Sequence, residues 1–210
     1  MTDRGKNYFK DHRLTIFSQG PFLPLLSHWV FQSVFYLDPT ERLFKLTLDV
    51  LGTVVFAWLL SVVFQWLPAI LISFFFAHTL NFLFNAHVWV VLKFYGFVHH
   101  TPDEFSIFLN EFTIRVQQES SLTAAIVLGS LVRDELHQAS DLDVRLLRKP
   151  GFLNGMQACI FQLQERSRAF LRHFPLDIYV IDDIQSLRKN RHDETAFDLI
   201  TQRHYPIPSD

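Results

Sequence analysis

The hydrophobic pattern changes character near residue 100. Over residues 43–98 apolar side chains run almost unbroken, and Lys45, Asp49 and Lys93 are the only acidic or basic positions apart from histidine. Within that run, residues 46–67 and 69–92 each offer the roughly 20 mostly apolar positions that a bilayer-crossing helix needs. Only the Gln65-Trp66-Leu67-Pro68 corner separates them, which predicts a tight reversal with Pro68 at a helix start. Upstream, residues 22–37 are apolar over a shorter length, with His28 and Gln32 about one turn apart. This stretch either crosses the bilayer or lies in its interface.

Past residue 100 the rhythm is that of an α/β unit. Thr101, Pro102 and Glu104 spell a helix start with a capping box, and Phe105, Phe108, Leu109, Phe112 and Val116 follow on one helical face. LTAAIVLGS reads as a buried strand that ends in a Gly129-Ser130 turn. The polar segment LVRDELHQA allows one or two helical turns. Leu142, Val144 and Leu146 then alternate with Asp141, Asp143 and Arg145, the period of a strand, which Pro150-Gly151 ends. Met156, Ile160, Leu163, Phe170 and Phe174 space out a helix ending near His173. A third strand, LDIYVID, puts Asp177, Tyr179 and Ile181 on one face and Ile178 and Val180 on the other. Residues 193–204 are expected to form a last helix before a Pro-containing tail.

Charge gives the apolar half an orientation. Arg42 and Lys45 precede the first span, Lys93 follows the second, and the corner between them is uncharged. By the positive-inside rule both ends face the cytoplasm, so a two-pass hairpin holds both termini there. Trp66, Trp89 and Tyr95 fit interfacial anchors. His78, Asn81 and Asn85 stack on one face of the second span and predict inter-helix hydrogen bonds, with a lipid head-group site as the alternative. The whole half has a competing reading as a buried helical pair in a soluble protein, for which Asp49 and this polar stripe speak. Three segments result: 1–45, interfacial or cytoplasmic; 46–98, the hairpin; and 101–210, the α/β domain.

Composition narrows the chemistry. The net charge of −2 gives no general attraction to nucleic acid, and 23 Phe, most of them before residue 113, suit lipid or a greasy core. A single cysteine, Cys159, excludes an internal disulfide or a Cys-based zinc cluster. The polar, mixed-charge first residues show no secretory leader.

Asp141 and Asp143, two apart on a strand, point to the same side, where they would repel unless a cation lay between them. Magnesium suits such a pair, because it takes a few carboxylate oxygens and shares its shell with waters and substrate phosphates. Asp177, on the next strand, either completes the site or takes the proton from an attacking hydroxyl. Gly129 allows close backbone approach to a phosphate, Ser130 offers a hydroxyl, and Arg145 lies on the aspartates' face to neutralise phosphate charge. Asp182 falls on the opposite face. Arg148 and Lys149 read as strand-end charges, and His137, His173, His192 and His204 share no spacing with a nucleophile or base.

The ordered combination, an apolar strand, Gly-Ser, ten residues, Asp-x-Asp and a later Asp, resembles the DNA polymerase beta-type nucleotidyltransferase superfamily, in particular its minimal members. LGSLVRDELHQASDLDVRLL carries that resemblance, which covers about the last 110 residues and leaves the hairpin aside. It implies a minimal nucleotidyltransferase domain, a small mixed sheet flanked by helices. It also implies metal ligands at Asp141 and Asp143, a third acidic residue at Asp177, and triphosphate contact at Gly129 and Ser130. Minimal members often carry a glycine shortly after the Gly-Ser pair, where this chain has Arg133-Asp134-Glu135.

The expected activity is transfer of a nucleotidyl group from a nucleoside triphosphate such as ATP to a hydroxyl, with Mg2+ or Mn2+ and release of pyrophosphate. The bilayer is one partner and a lipid-linked molecule the expected acceptor. A partner protein as acceptor, and a non-catalytic nucleotide sensor, are the alternatives. A domain this small is expected to need a second copy or another protein to complete its acceptor pocket.

Overall fold

The computed structural model describes residues 21–133, 135, 140–188 and 196–205. Most of the polar segment after Ser130, together with His137, His192, the first 20 residues and the closing tail, lies outside them. The chain is a mixed α/β structure, with apolar helices first and a five-stranded sheet after them.

The apolar half opens with α1 (Phe22–Phe31), ten residues long and therefore too short to cross a bilayer. The hairpin follows as α2 (Pro39–Leu60) and α3 (Trp66–Asn85). Both are long and apolar enough to span a membrane. Their ends differ from the sequence reading. Pro39, pre-set for a helix start, begins α2 well before residue 46. The reversal is made by residues 61–65, so Trp66, Leu67 and Pro68 already form the first turn of α3. At the far end Ala86 is extended, and α3 stops at Asn85 rather than running to Leu92. A short α4 (Val88–Leu92) and a 3-10 turn (Lys93–Tyr95) carry the chain on.

The two long helices pack through small side chains. Ala69, Ser73 and Ala77 are buried at four-residue intervals on α3, and a Cβ placed on Gly52 of α2 would lie 3.0 Å from that of Ala77. Such close backbone approach is how helices associate where lipid removes the hydrophobic drive between them. The outer faces stay uncovered: of the most apolar 18-residue segment, 11% is buried in α2 and 33% in α3. Val50, Val54, Trp58 and Phe75 are all more than half exposed. Among the described residues these side chains stay uncovered, which weighs toward the membrane reading over a buried helical pair.

The remaining elements are α5 (Pro102–Gln118), β1 (Leu122–Leu128), β2 (Leu142–Arg148), α6 (Phe152–Leu171), β3 (Leu176–Ile181), a one-turn α7 (Gln185–Arg188), β4 (Ala196–Asp198) and β5 (Arg203–Tyr205). The capping box at Thr101 and Glu104 forms as the sequence requires. The sheet order is β3-β2-β1-β4-β5. β2 and β3 are parallel, joined by the α6 crossover, and the other pairs are antiparallel. Phe105, Phe108 and Phe112 of α5 and Ala158 and Phe161 of α6 pack with Val127, Val144, Ile178 and Val180 in the main core.

β4 and β5 replace the helix expected over residues 193–204. The free edge of β1 needs a partner, and the buried Asp198 supplies the turn: it accepts from the Ala125 and Ile200 amides and from Thr201. Gln202 closes the reversal in the left-handed region, φ 55°.

At the other edge, β3 is covered by the hairpin. Glu41 of α2 accepts from the Val180 amide at 2.9 Å, and Asp38, just before α2, accepts from the Asp182 amide at 2.8 Å. Asp182 in turn accepts from the Thr40 amide and pairs with Arg148. Gly155 on α6 leaves room for α2 to sit this close, since a Cβ there would meet Thr40 Cγ2 at 2.9 Å.

Candidate functional site

The sheet face away from α5 and α6 carries the predicted site, built as rows across three strands. Register pairs Leu128 with Asp143 and Asp143 with Asp177. The next row is Ile126, Arg145 and Tyr179, and beyond it come Ala124, Leu147 and Ile181. An apolar row therefore lies at one end of this face and a two-carboxylate row at the other. Gly129 follows Leu128 directly, so its turn stands beside Asp143: a Cβ on Gly129 would lie 4.0 Å from the Asp143 Cβ. Gly129 has φ +79°, a conformation that costs any other L-residue about 1–2 kcal/mol. Ser130 follows and accepts the Glu135 amide at 2.9 Å through its carbonyl.

Arg145 holds the carboxylate row together. Its guanidinium lies 2.5 Å from Asp143 Oδ1 and 3.6 Å from Asp177 Oδ2, and stacks 4.4 Å from the Tyr179 ring centroid. Asp141 stands one residue before β2 and pairs with Lys93 at 2.7 Å. The structure thus brings Asp143, Asp177 and Arg145 together, with Gly129 alongside, and ties Asp141 to the segment leaving the hairpin. Among the described residues, no three His, Cys, Asp or Glu side chains are grouped closely enough to hold a metal ion.

No family model, curated protein or solved structure matches the chain.

Several residues around the row escaped the sequence reading. His87, from the break between α3 and α4, sits 3.4 Å from Asp177 Oδ1 and 4.6 Å, ring to ring, from Tyr179. Burial, then the Arg166 and Lys45 cations, holds its imidazole neutral, well below the ordinary histidine range. Burial and the Asp177 carboxylate push the Tyr179 phenol above its usual range. Arg166 of α6 donates to His87, to Asn85 and to the Ile178 carbonyl, and pairs with Glu41. Position along the chain gave no signal for these, because each acts across the junction between the halves. Lys93 was visible only as a flanking charge.

The polar stripe of α3 feeds this junction. His78 pairs with Asp49 of α2 at 2.8 Å, Asn81 donates to Asp49 at 2.9 Å, and Asn85 donates to Asn81 at 3.2 Å. Arg166 then donates to Asn85 Oδ1 at 2.8 Å. The expected inter-helix hydrogen bonds are present, and the line of contacts continues through Arg166 and His87 to Asp177. Trp89, read as an interfacial anchor, donates to the Phe170 carbonyl of α6 at 2.9 Å.

Proposed function

We propose that the protein is a membrane-anchored nucleotidyltransferase, with the hairpin in the bilayer and both termini and the sheet on the cytoplasmic side. It transfers a nucleotidyl group from a nucleoside triphosphate to a hydroxyl acceptor and releases pyrophosphate. One observation carries the reading: Asp143 and Asp177 are cross-strand neighbours, with the left-handed Gly129 turn beside them. Carboxylates next to a backbone turn that a phosphate can approach are the parts this chemistry needs.

The donor set suits Mg2+ or Mn2+ as far as two carboxylates go, since magnesium is commonly held by one or two carboxylates together with substrate phosphates and water. Asp143 and Asp177 already hold one cationic group, the Arg145 guanidinium. These two, and Asp141 on leaving Lys93, are the residues that would hold the metal. Bound there, it would neutralise the triphosphate and steady the entering and leaving oxygens.

The chain's own groups supply the rest. The Gly129–Ser130 turn binds the β- and γ-phosphates. Arg145 exchanges its carboxylate partners for phosphate oxygens, which its planar fork fits well. The acceptor oxygen bonds to the α-phosphorus as the bridge to the β-phosphate breaks, and Asp177 takes the acceptor's proton. The buried His87 ring closes one side of the site, 3.4 Å from Asp177. An acceptor linked to a lipid suits a site placed next to a bilayer.

A second reading has its own support. Arg145 and Lys93 compensate the carboxylates without any metal, as a nucleotide sensor with no turnover would require. Pyrophosphate release by the detergent-purified full chain separates the two. Each of four nucleoside triphosphates is tried with magnesium and a membrane lipid extract, beside an Asp143→Asn/Asp177→Asn variant. Release that needs the extract and disappears in the variant supports the transferase. Nucleotide binding without release supports the sensor. Label moving to a protein band instead of lipid makes the acceptor a protein.

A further inference from the structure

A second concave site lies apart from the carboxylate row. Residues 97–100, the start of α5 and the end of α6 enclose a cleft of about 670 Å³. Trp89, which lines one wall, is four residues beyond the end of the second long helix. Even fully extended, four residues reach no more than about 14 Å, so that wall stands close to the end of the span. If the hairpin crosses a bilayer, the cleft opens at head-group depth.

Its lining divides by chemistry. Phe97 and Ile107 line it and are each more than half exposed, and Phe94 and Leu171 are exposed close by in sequence. Large exposed apolar side chains next to a spanning helix are the contacts an acyl chain would make. The polar members are His99, His100, Arg172 and His173, with Glu104 the one acid among the lining residues. Glu104 is occupied at the Thr101 cap, and His100 contacts the His173 carbonyl at 3.2 Å. Arg172 pairs with Glu111 at 2.6 Å, outside the lining. Among the described residues, neither His99 nor the His173 ring has a hydrogen-bond partner, although the His173 ring packs against Trp89 at 4.6 Å. Two available imidazoles and a guanidinium beside an aromatic wall recognise an anion carrying a greasy tail.

We infer that this cleft binds the phosphate head group of a single anionic bilayer lipid. The inference rests on the hairpin lying in a bilayer and is independent of the transferase chemistry.

The test uses the full chain in phosphatidylcholine vesicles doped with a photoreactive lipid, diazirine-bearing in the head-group region, as either a phosphatidylglycerol or a phosphatidylcholine. Adducts are mapped by peptide mass spectrometry. The expected result is several-fold more labelling of residues 97–108 and 170–174 by the anionic probe. That excess disappears in a His99→Gln/His173→Asn variant, while labelling of α2 and α3 is unchanged. Asparagine is chosen at position 173 because the backbone there is left-handed, φ 55°, and asparagine tolerates that conformation. Equal labelling by both probes, or an unaffected variant, overturns the inference. Competition by inorganic phosphate or by a nucleoside triphosphate also overturns it, reassigning the cleft to a soluble anion or a nucleotide. Absence of adducts on α2 and α3 removes the bilayer, and the inference with it.

Discussion

Arg166 Nη2 lies 2.9 Å from Glu41 Oε1, with both side chains almost completely buried. One belongs to the helix that crosses over the sheet and the other to the first helix of the hairpin. Two charges taken out of water need each other, and here further hydrogen bonds support each, although Arg166 Nε finds no partner among the described residues. Glu41 also accepts from the Val180 amide, and Arg166 donates from Nη1 to Asn85 and from Nη2 to the Ile178 carbonyl. Removing one partner strands the other, which typically costs about 3–5 kcal/mol. Arg166→Met alone is expected to lower the melting temperature in detergent sharply. Arg166→Met/Glu41→Leu is expected to recover part of that loss, because the stranded carboxylate is gone and only Lys45, 3.9 Å from Glu41 and equally buried, is left without it. A double variant no more stable than the single one would show that the pair is not the source.

Arg145→Gln addresses the carboxylate row. Without the guanidinium, Asp143 and Asp177 repel each other, and the variant is expected to melt below the wild type at neutral pH. Magnesium is expected to raise the variant's melting temperature more than the wild type's, because the ion replaces the missing charge. Equal magnesium responses would count against a cation position between these two carboxylates.

Gly129→Ala forces a Cβ onto a backbone with φ +79°. The space beside it is open, with the Asp143 Cβ at 4.0 Å, so the cost is conformational and about 1–2 kcal/mol. Pyrophosphate release is expected to fall by more than the modest drop in melting temperature accounts for, because the turn itself would contact phosphate. Loss of activity in proportion to unfolding would make Gly129 a purely structural residue.

His87 sets a pH dependence. Its imidazole stays neutral in the folded protein well below 6.5, through burial and the neighbouring Arg166 and Lys45 cations. The unfolded chain takes up the proton near pH 6.5 and the folded chain does not. Stability is therefore unaffected by this group above that pH. It is lost as pH falls below it, at up to about 1.4 kcal/mol per pH unit. Melting curves from pH 7.5 to 5.0 are expected to fall more steeply for the wild type than for His87→Gln. Parallel curves would remove His87 as the cause.

The sequence made some of this architecture legible and hid the rest for physical reasons. Alternation along β2 and β3 announced which side chains share a face, because the period of two is intrinsic to an extended chain. The rows Asp143–Asp177 and Arg145–Tyr179 followed once register was known. Helix ends were less visible, since Pro39 and the extended Ala86 act through a few dihedral angles rather than through hydropathy. β4 and β5 were misread as a helix because each has three residues, too few for alternation to show. Their cause is the open edge of β1 and the turn built by Asp198. His87, Lys93 and Arg166 could not be assigned from spacing, because their partners lie 90, 48 and 125 residues away, at Asp177, Asp141 and Glu41.

The cover that Glu41 and Asp38 place over β3 bears on how the protein is made. A ribosome releases residues 38–41 long before residues 176–182, so the cap exists before the strand that it seals. A translation product that missed the lipid would present β3 with no lid, a sticky edge open to any neighbour. On the proposal that the hairpin lies in a bilayer, sealing of this edge is in this way tied to insertion.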